Sequence, residues 1–321
     1  MLVLKLPKNK PQSKLLMSKP RIAIGPEMAK PSWDWVGFDL SRELTKYYDV
    51  EVFPLGTLSP PECDLILIIK NTPRPIFLNR LNRRKNKTIY LPIDNYQNAF
   101  AIERDKRFLG QCDSVLVHCE RLIPVLTPFC KIVEFIEHHN RFGLDEAVQY
   151  KSSGYAIWVG SLQYLQAIIE WLQRHPLGMQ IKFVVNYPSA FREKLTNALP
   201  IRDPHEVILW TPQSQREAMV GAKAAFDIKG TDFNQMHKAP VKAQKFIASG
   251  IPFAVNPESY SAEYFKSRGL EIPDPTDTEY WLSKDYWENI QPVSQELRTR
   301  LTLENVGLTC KHVIDSALGI P

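Results

Sequence analysis

The chain runs twice through one pattern: a short apolar strand that ends in glycine, an amphipathic helix, then further apolar runs of strand length. The first pass opens at Arg21-Ile-Ala-Ile-Gly25 and the second at Tyr155-Ala-Ile-Trp-Val-Gly160. Between them Val50–Phe53, Leu65–Ile69, Lys87–Pro92, Ser114–His118 and Lys131–Ile136 read as strands. Leu65–Ile69 is apolar at every position, as a parallel strand covered on both faces must be. Val36, Leu40, Leu44 and Tyr47 or Tyr48 fall at helical spacing between the first two strands. Alternation of this kind predicts a doubly wound parallel α/β sheet, and its restart predicts two Rossmann-like domains with a cleft between them. The boundaries expected are a disordered basic tail over residues 1–20, one domain over 21–150, a second over 151–293, and a C-terminal helix over 294–321 that packs back towards the first.

In the second pass, strands are expected at Ile181–Val185, Val207–Trp210, Ala224–Ile228 and Phe253–Val255. Helices are expected at 165–174, 213–221, 241–249 and 261–268, with a last one from Ser294 to Ala317. Ligands of such sheets bind at the carboxyl ends of the strands, so the cleft is where chemistry is sought.

Charge and cysteine usage narrow the class. The net charge of the 321 residues is +5, and six cations without one acid lie in the first 21 residues. A second basic cluster, Arg80, Arg83, Arg84, Lys85 and Lys87, is either a solvated face or a contact for an anionic membrane surface. Neither cluster carries a nucleic-acid-binding motif, and no nucleic-acid partner is expected. Five scattered cysteines without a CxxC pair speak against a disulfide framework or a structural zinc site, and fit a reducing cytosol. No apolar run approaches the roughly 20 residues of a spanning helix, and lysines interrupt any leader-like segment. A cytoplasmic, at most membrane-peripheral protein is expected. The loop after the first strand lacks GxGxxG, and no phosphate-loop lysine motif occurs, which disfavours a dehydrogenase or a nucleotide triphosphatase.

Several segments, in order, resemble the GT-B glycosyltransferases of the group 1 or family 4 kind. Trp158-Val-Gly160 is similar to the turn that opens the donor domain, and Ala225-Phe-Asp-Ile228 to the strand before the donor loop. Lys238-Ala-Pro240-Val-Lys242 followed by Ala248-Ser-Gly250-Ile-Pro252 resembles the helix and AxGxP turn that line the nucleotide-sugar pocket. Gln111–His118 and Ile136–Phe142 are similar to the last acceptor-domain strand and the interdomain turn. The resemblance implies transfer of a sugar from a nucleotide-sugar donor to a glycan, lipid-linked or other acceptor, with no metal and no resident cofactor. Many retaining members carry two glutamates eight positions apart; here His237 and Lys245 stand in those places. A non-catalytic sugar-nucleotide or glycan-binding relative, acting as a partner in glycan synthesis, is the alternative.

Candidate residues follow from what the reaction demands. A leaving diphosphate needs cations, and Lys238 and Lys242, four apart with Pro240 between them, fit the first turn of a helix beside Lys229. Gly160 and Gly250 complete the expected donor site. A proton acceptor is sought at strand ends: Asp94, which is equally suited to capping a helix, and His118, equally suited to a structural hydrogen bond. On the acceptor side, Trp33, Asp34 and Trp35 combine rings for stacking with a carboxylate for sugar hydroxyls, or else anchor the first helix. His138 and His139 are further candidates for the base, and are either acceptor contacts or hinge residues.

Overall fold

The computed structural model describes residues 19–84, 86–187 and 199–321. The expected tail through Ser18, and Lys85 of the basic cluster, lie outside the described residues. Lys19 does not belong to a free tail: its ammonium donates to the carbonyls of Thr45 and Lys46 at 3.0 and 3.1 Å, at the end of the first helical segment.

Two separate, wholly parallel sheets form the protein. The first has the order β2-β1-β3-β4-β5-β6, with β1 Arg21–Glu27, β2 Asp49–Pro54, β3 Leu65–Ile69, β4 Lys87–Leu91, β5 Ser114–Val117 and β6 Val133–Phe135. The second has the order β11-β10-β7-β8-β9, with β7 Tyr155–Ser161, β8 Ile181–Asn186, β9 His205–Leu209, β10 Ala222–Asp227 and β11 Phe253–Val255. Every paired strand runs parallel to its neighbour. Burial explains the composition of the central strands: all five residues of β3 are fully buried, as only a strand covered by helices on both faces can be. The strand order reverses between β1 and β3 in one sheet and between β7 and β10 in the other. A crevice opens at the carboxyl ends of the strands at each such point.

Helix boundaries differ most from the sequence reading in two places. The first helical segment begins at Trp33, as a wide π-type turn over Trp33–Phe38 that continues as an α-helix over Asp39–Leu44. The helix expected from Ser294 to Ala317 is two helices, Lys284–Arg300 and Leu303–Leu318. The break comes at Thr302, whose hydroxyl accepts from the Asn305 N–H and starts a new helix in a new direction. The two pieces belong to different cores. Ser294 donates to the carbonyl of Ala248 in the second domain, whereas Cys310 and Ile314 are buried with Leu40, Leu44 and Ile89 in the first.

The chain thus crosses between domains twice, once after β6 and once near Leu301. The crossings touch: the Asn140 N–H donates to the Leu301 carbonyl at 2.8 Å. Glu137, on the first crossing, is gripped by Tyr264 and Arg300. Across the cleft, the Arg121 guanidinium pairs with Glu263 at 2.6 Å, and the Tyr260 hydroxyl donates to Glu120 at 3.0 Å.

Candidate functional site

A cavity of about 260 Å³ lies between the two sheets, walled by carboxyl-terminal strand ends from the first domain and by a loop and helix start from the second. A smaller one of about 170 Å³ adjoins it at the β7/β10 reversal and shares Lys229, Lys238 and Lys242.

The second domain builds its wall around a buried carboxylate. Asp227 ends β10 and is almost wholly shielded from solvent. One oxygen accepts from the Trp158 indole N–H at 2.9 Å and lies 2.8 Å from the Lys242 ammonium. The other lies 2.8 Å from the Lys229 ammonium. Burial pushes the Asp227 carboxyl up, but the two ammonium groups outweigh it and hold it far below the usual carboxylate range. Burial, reinforced by the neighbouring Lys229 and Lys238 charges and opposed by Asp227, brings Lys242 down to about 7. The Lys242 ammonium also sits 4.8 Å from the centre of the Trp158 ring, and that of Lys238 sits 3.8 Å from the centre of the Tyr164 ring. Gly160 belongs to this wall for a steric reason: a Cβ there would come within 2.4 Å of the Trp158 indole that orients Asp227.

The first domain presents polar atoms that lack partners. His118 follows β5, and its Nδ1 bonds to the Ile136 carbonyl at 2.8 Å, so it carries the hydrogen there and leaves Nε2 as an acceptor. That Nε2 is buried without a partner, as are His138 Nδ1 and Ser32 Oγ, and all three residues line the larger cavity. The rings of His118 and His138 stack 3.7 Å apart at 19°. Burial lowers His118 to about 4 and His138 well below the ordinary imidazole value, so both are neutral near pH 7. Asp94 stands exposed at the lip, after β4, with a left-handed φ of 48°. Its charge raises the affinity of His118 for a proton.

The sequence candidates divide accordingly. Asp94, His118, Trp35, His138, Lys229, Lys238 and Lys242 meet at the larger cavity, and Gly160 at the adjoining one. Trp33 does not: it is 4% exposed and packs with Leu40, Tyr48 and Ile69 in the first core, because it begins a helix rather than sitting in a loop. Asp34 is exposed and does not line the cavity. Trp35 does, while its indole N–H donates to the His139 carbonyl at 2.8 Å. His139 points the other way, 3.0 Å from Asp39, where Arg141 completes an ion-pair cluster. Gly250 lines neither cavity: its φ is 73°, and a Cβ would come within 2.8 Å of the Val148 carbonyl on the interdomain crossing. Lys238 and Lys242 do not share a helix, since the helix is Val241–Ala248 with Pro240 as its N-cap. They reach one space because Lys238 lies on the loop that leads into it.

His237 and Lys245, in the places of the paired glutamates, have separate environments. His237 Nδ1 is tied to the Phe233 carbonyl at 2.7 Å, with the two rings stacked. Lys245 is buried between Trp35 and Phe142, 5.5 and 5.9 Å from their ring centres, and burial lowers it to about 8. Sequence reasoning missed Asp227. The one signal was a carboxylate closing an otherwise apolar strand, Ala224-Ala-Phe-Asp227. Among the described residues no group of three or more His, Cys, Asp or Glu is arranged to hold a metal ion. In that same part of the chain all five cysteines are free and no helix is long and apolar enough to cross a membrane.

Comparison with solved structures places this architecture. A trehalose-phosphate synthase (UDP-forming) of Burkholderia vietnamiensis superposes with a TM-score of 0.64 at 9% identity, over 94% of this chain and 100% of that one. The BGT protein of phage T4, solved with UDP and Mn2+, gives 0.57 at 11% identity over 94% and 100%. The glycosyltransferase AviGT4 of avilamycin A biosynthesis gives 0.57 at 10% identity over 94% and 98%. The chain therefore has the two-domain GT-B glycosyltransferase fold, in a divergent sequence. No protein-family model and no curated protein matches it in sequence.

Proposed function

We propose that the protein is a glycosyltransferase that moves a sugar from a nucleotide-sugar donor to an acceptor hydroxyl, with lysines in place of a metal at the diphosphate. The observation that carries this reading is the Asp227-Lys229-Lys242 cluster beside Lys238, at the β7/β10 reversal of a GT-B fold. One carboxylate neutralises part of the charge and fixes the two ammonium groups in position. The cluster as a whole stays cationic, and it needs no reorganisation to receive a diphosphate.

In the reaction the bond between the anomeric carbon and the diphosphate oxygen breaks as the acceptor oxygen bonds to that carbon. Negative charge grows on the leaving diphosphate, where Lys238 and Lys242 stabilise it. The acceptor proton passes to Asp94 at the opposite lip, with neutral His118 beside it as the second candidate. The trehalose-phosphate synthase and BGT likenesses support a nucleotide-sugar donor in general. A glycan or lipid-linked acceptor, in polysaccharide synthesis, is the reading carried over from the sequence.

The test is binding of nucleoside diphosphates, followed by thermal shift and calorimetry. A ligand at a hundred times its Kd adds about 2.7 kcal/mol of stability. Lys238→Ala and Lys242→Ala should each weaken a nucleoside diphosphate by about ten- to a hundredfold, because a charge-assisted contact contributes roughly 1.5–3 kcal/mol. The free nucleoside should be unaffected. Unchanged diphosphate affinity in both variants would leave the lysines as mere partners of Asp227 and remove the donor site. Donor consumption in the presence of acceptor extracts separates an enzyme from a non-catalytic binding relative.

A further inference from the structure

We infer that the first domain carries a second binding site, remote from the cleft, for a small zwitterion of the α-amino acid type. Its carboxylate would sit on Lys131 and Ser114, its ammonium between Glu134 and the end of the last helix, and its apolar side chain on Ile132, Val313 and Ala317.

The place comes first. A cavity of about 250 Å³ opens under the last helix, Leu303–Leu318, at the amino ends of β4, β5 and β6. Lys87 and Ser114 are the first residues of β4 and β5, and Lys131 and Ile132 lead into β6. The cleft is lined by residues at the carboxyl ends of β4 and β5, so the two cavities lie at opposite ends of one sheet. The register explains why a hollow forms. Leu116 belongs to the core that holds Cys310 and Ile314 of the last helix. Ser114 lies two residues before it on β5, and Glu134 is its register partner on β6, so all three face that helix. A serine and a glutamate thus stand where apolar side chains would have continued the core.

The polar groups there divide into committed and free. Asp113 is committed: one oxygen accepts from the Lys87 ammonium at 3.2 Å and the other from the Thr88 N–H at 2.9 Å. Lys131 and Glu134 are exposed, and neither forms an ion pair among the described residues, although they stand three positions apart. Ser114 is 4% exposed, and among the described residues its hydroxyl is buried without a partner. A buried hydroxyl left unbonded is costly, and a carboxylate arriving in the cavity would accept from it.

Charge selects the class of ligand. Lys87 and Lys131 balance Asp113 and Glu134, so the lining as a whole favours neither a bare anion nor a bare cation. What it offers is one free charge of each sign, with a free hydroxyl on the same wall. Ser316 and Ala317 belong to the last turn of the helix, where backbone carbonyls favour a positive charge and no basic side chain supplies one. An ammonium fits between that turn and Glu134. Ile132, which is half exposed, gives an apolar side chain a surface together with Val313 and Ala317.

The experiment titrates the full chain with apolar α-amino acids, from alanine to phenylalanine, at millimolar concentration, by calorimetry and thermal shift. Each is compared with the carboxylic acid that lacks its amino group and the amine that lacks its carboxylate. At least one amino acid is expected to bind, about tenfold or more tighter than either truncated form. Lys131→Gln and Glu134→Gln should each weaken it about tenfold and leave any affinity for UDP unchanged. Ser114→Ala should weaken it too, with the thermal midpoint of the free protein no lower, a pattern that a merely structural hydroxyl would not give. Absence of binding across the series would overturn the inference, and so would binding that Lys131→Gln and Glu134→Gln leave intact. A carboxylic acid that binds as well as its amino acid would make the cavity an anion site and equally refute the zwitterion. None of these outcomes depends on the donor assignment.

Discussion

The two walls of the cleft solve opposite problems. On the second-domain side the charged groups at the centre have close neighbours: Asp227 lies against Trp158, Lys229 and Lys242, and Lys238 lies on the Tyr164 ring. On the first-domain side Ser32, His118 and His138 keep buried polar atoms with nothing to bond. A wall whose charges are fixed in advance suits a group that is the same in every turnover, such as a diphosphate. A wall of unsatisfied acceptors and donors gains its partners only when the right hydroxyls arrive, and so suits discrimination. On the proposed reading, preorganisation and selectivity are divided between the two halves.

Three substitutions test that division, the largest effect first. Asp94→Asn keeps the shape at the first-domain lip but cannot take a proton. Turnover should fall roughly a hundred- to ten-thousandfold with donor Kd unchanged, in steady-state kinetics with titrated donor. Unaltered turnover would hand the proton to His118 and make the lip a passive edge.

Asp227→Asn attacks the opposite wall, leaving two ammonium groups at a shielded site without their counter-charge. Urea unfolding should show a loss of about 3–5 kcal/mol, the cost of breaking a buried ion pair from one side. A change below about 1 kcal/mol would mean that the wall is looser than its geometry, and the contrast between the halves would fade.

Acid gives the smallest effect and belongs to the first-domain wall. Above the ordinary histidine value near 6.5, His118 is neutral whether the chain is folded or not. Below it only the unfolded chain takes up the proton, until the folded value of about 4 is reached. Stability therefore falls as pH drops through that window, by roughly 2 kcal/mol between pH 7 and 5 from this residue. His118→Asn, whose amide can still donate to the Ile136 carbonyl, should flatten that part of the profile. An equal slope in the variant would shift the effect to His138.

The sheets were legible in the sequence because strands covered on both faces cannot hide: Leu65–Ile69 and Ala156–Val159 have almost no polar choice. Helix ends were harder. Nothing but Thr302 marks the break in what reads as one helix, and the cap acts only because the two halves dock on different cores. At the site, periodicity misled where the backbone was not yet helical. Lys238 and Lys242 look one turn apart but reach the same space from a loop and a helix. Trp33 and Trp35 looked like a pair; two residues apart on a wide turn, they face a core and a cavity respectively. Asp227 was hidden because its role comes from partners 69 residues upstream and 15 downstream, and no local pattern encodes that meeting.

The hydrogen bond between Asn140 and Leu301 has a mechanical consequence. Two chain crossings fastened side by side act as the pin of a door: they oppose sliding and twisting of the domains and leave one swing. Trp35, Phe142 and Lys245 cluster beside the first crossing, while Asp94 and Lys238 line the same cavity from different domains. On the proposed reading, opening and closing would change the gap between Asp94 and Lys238, so that proton acceptor and diphosphate clamp would meet only at one end of the travel.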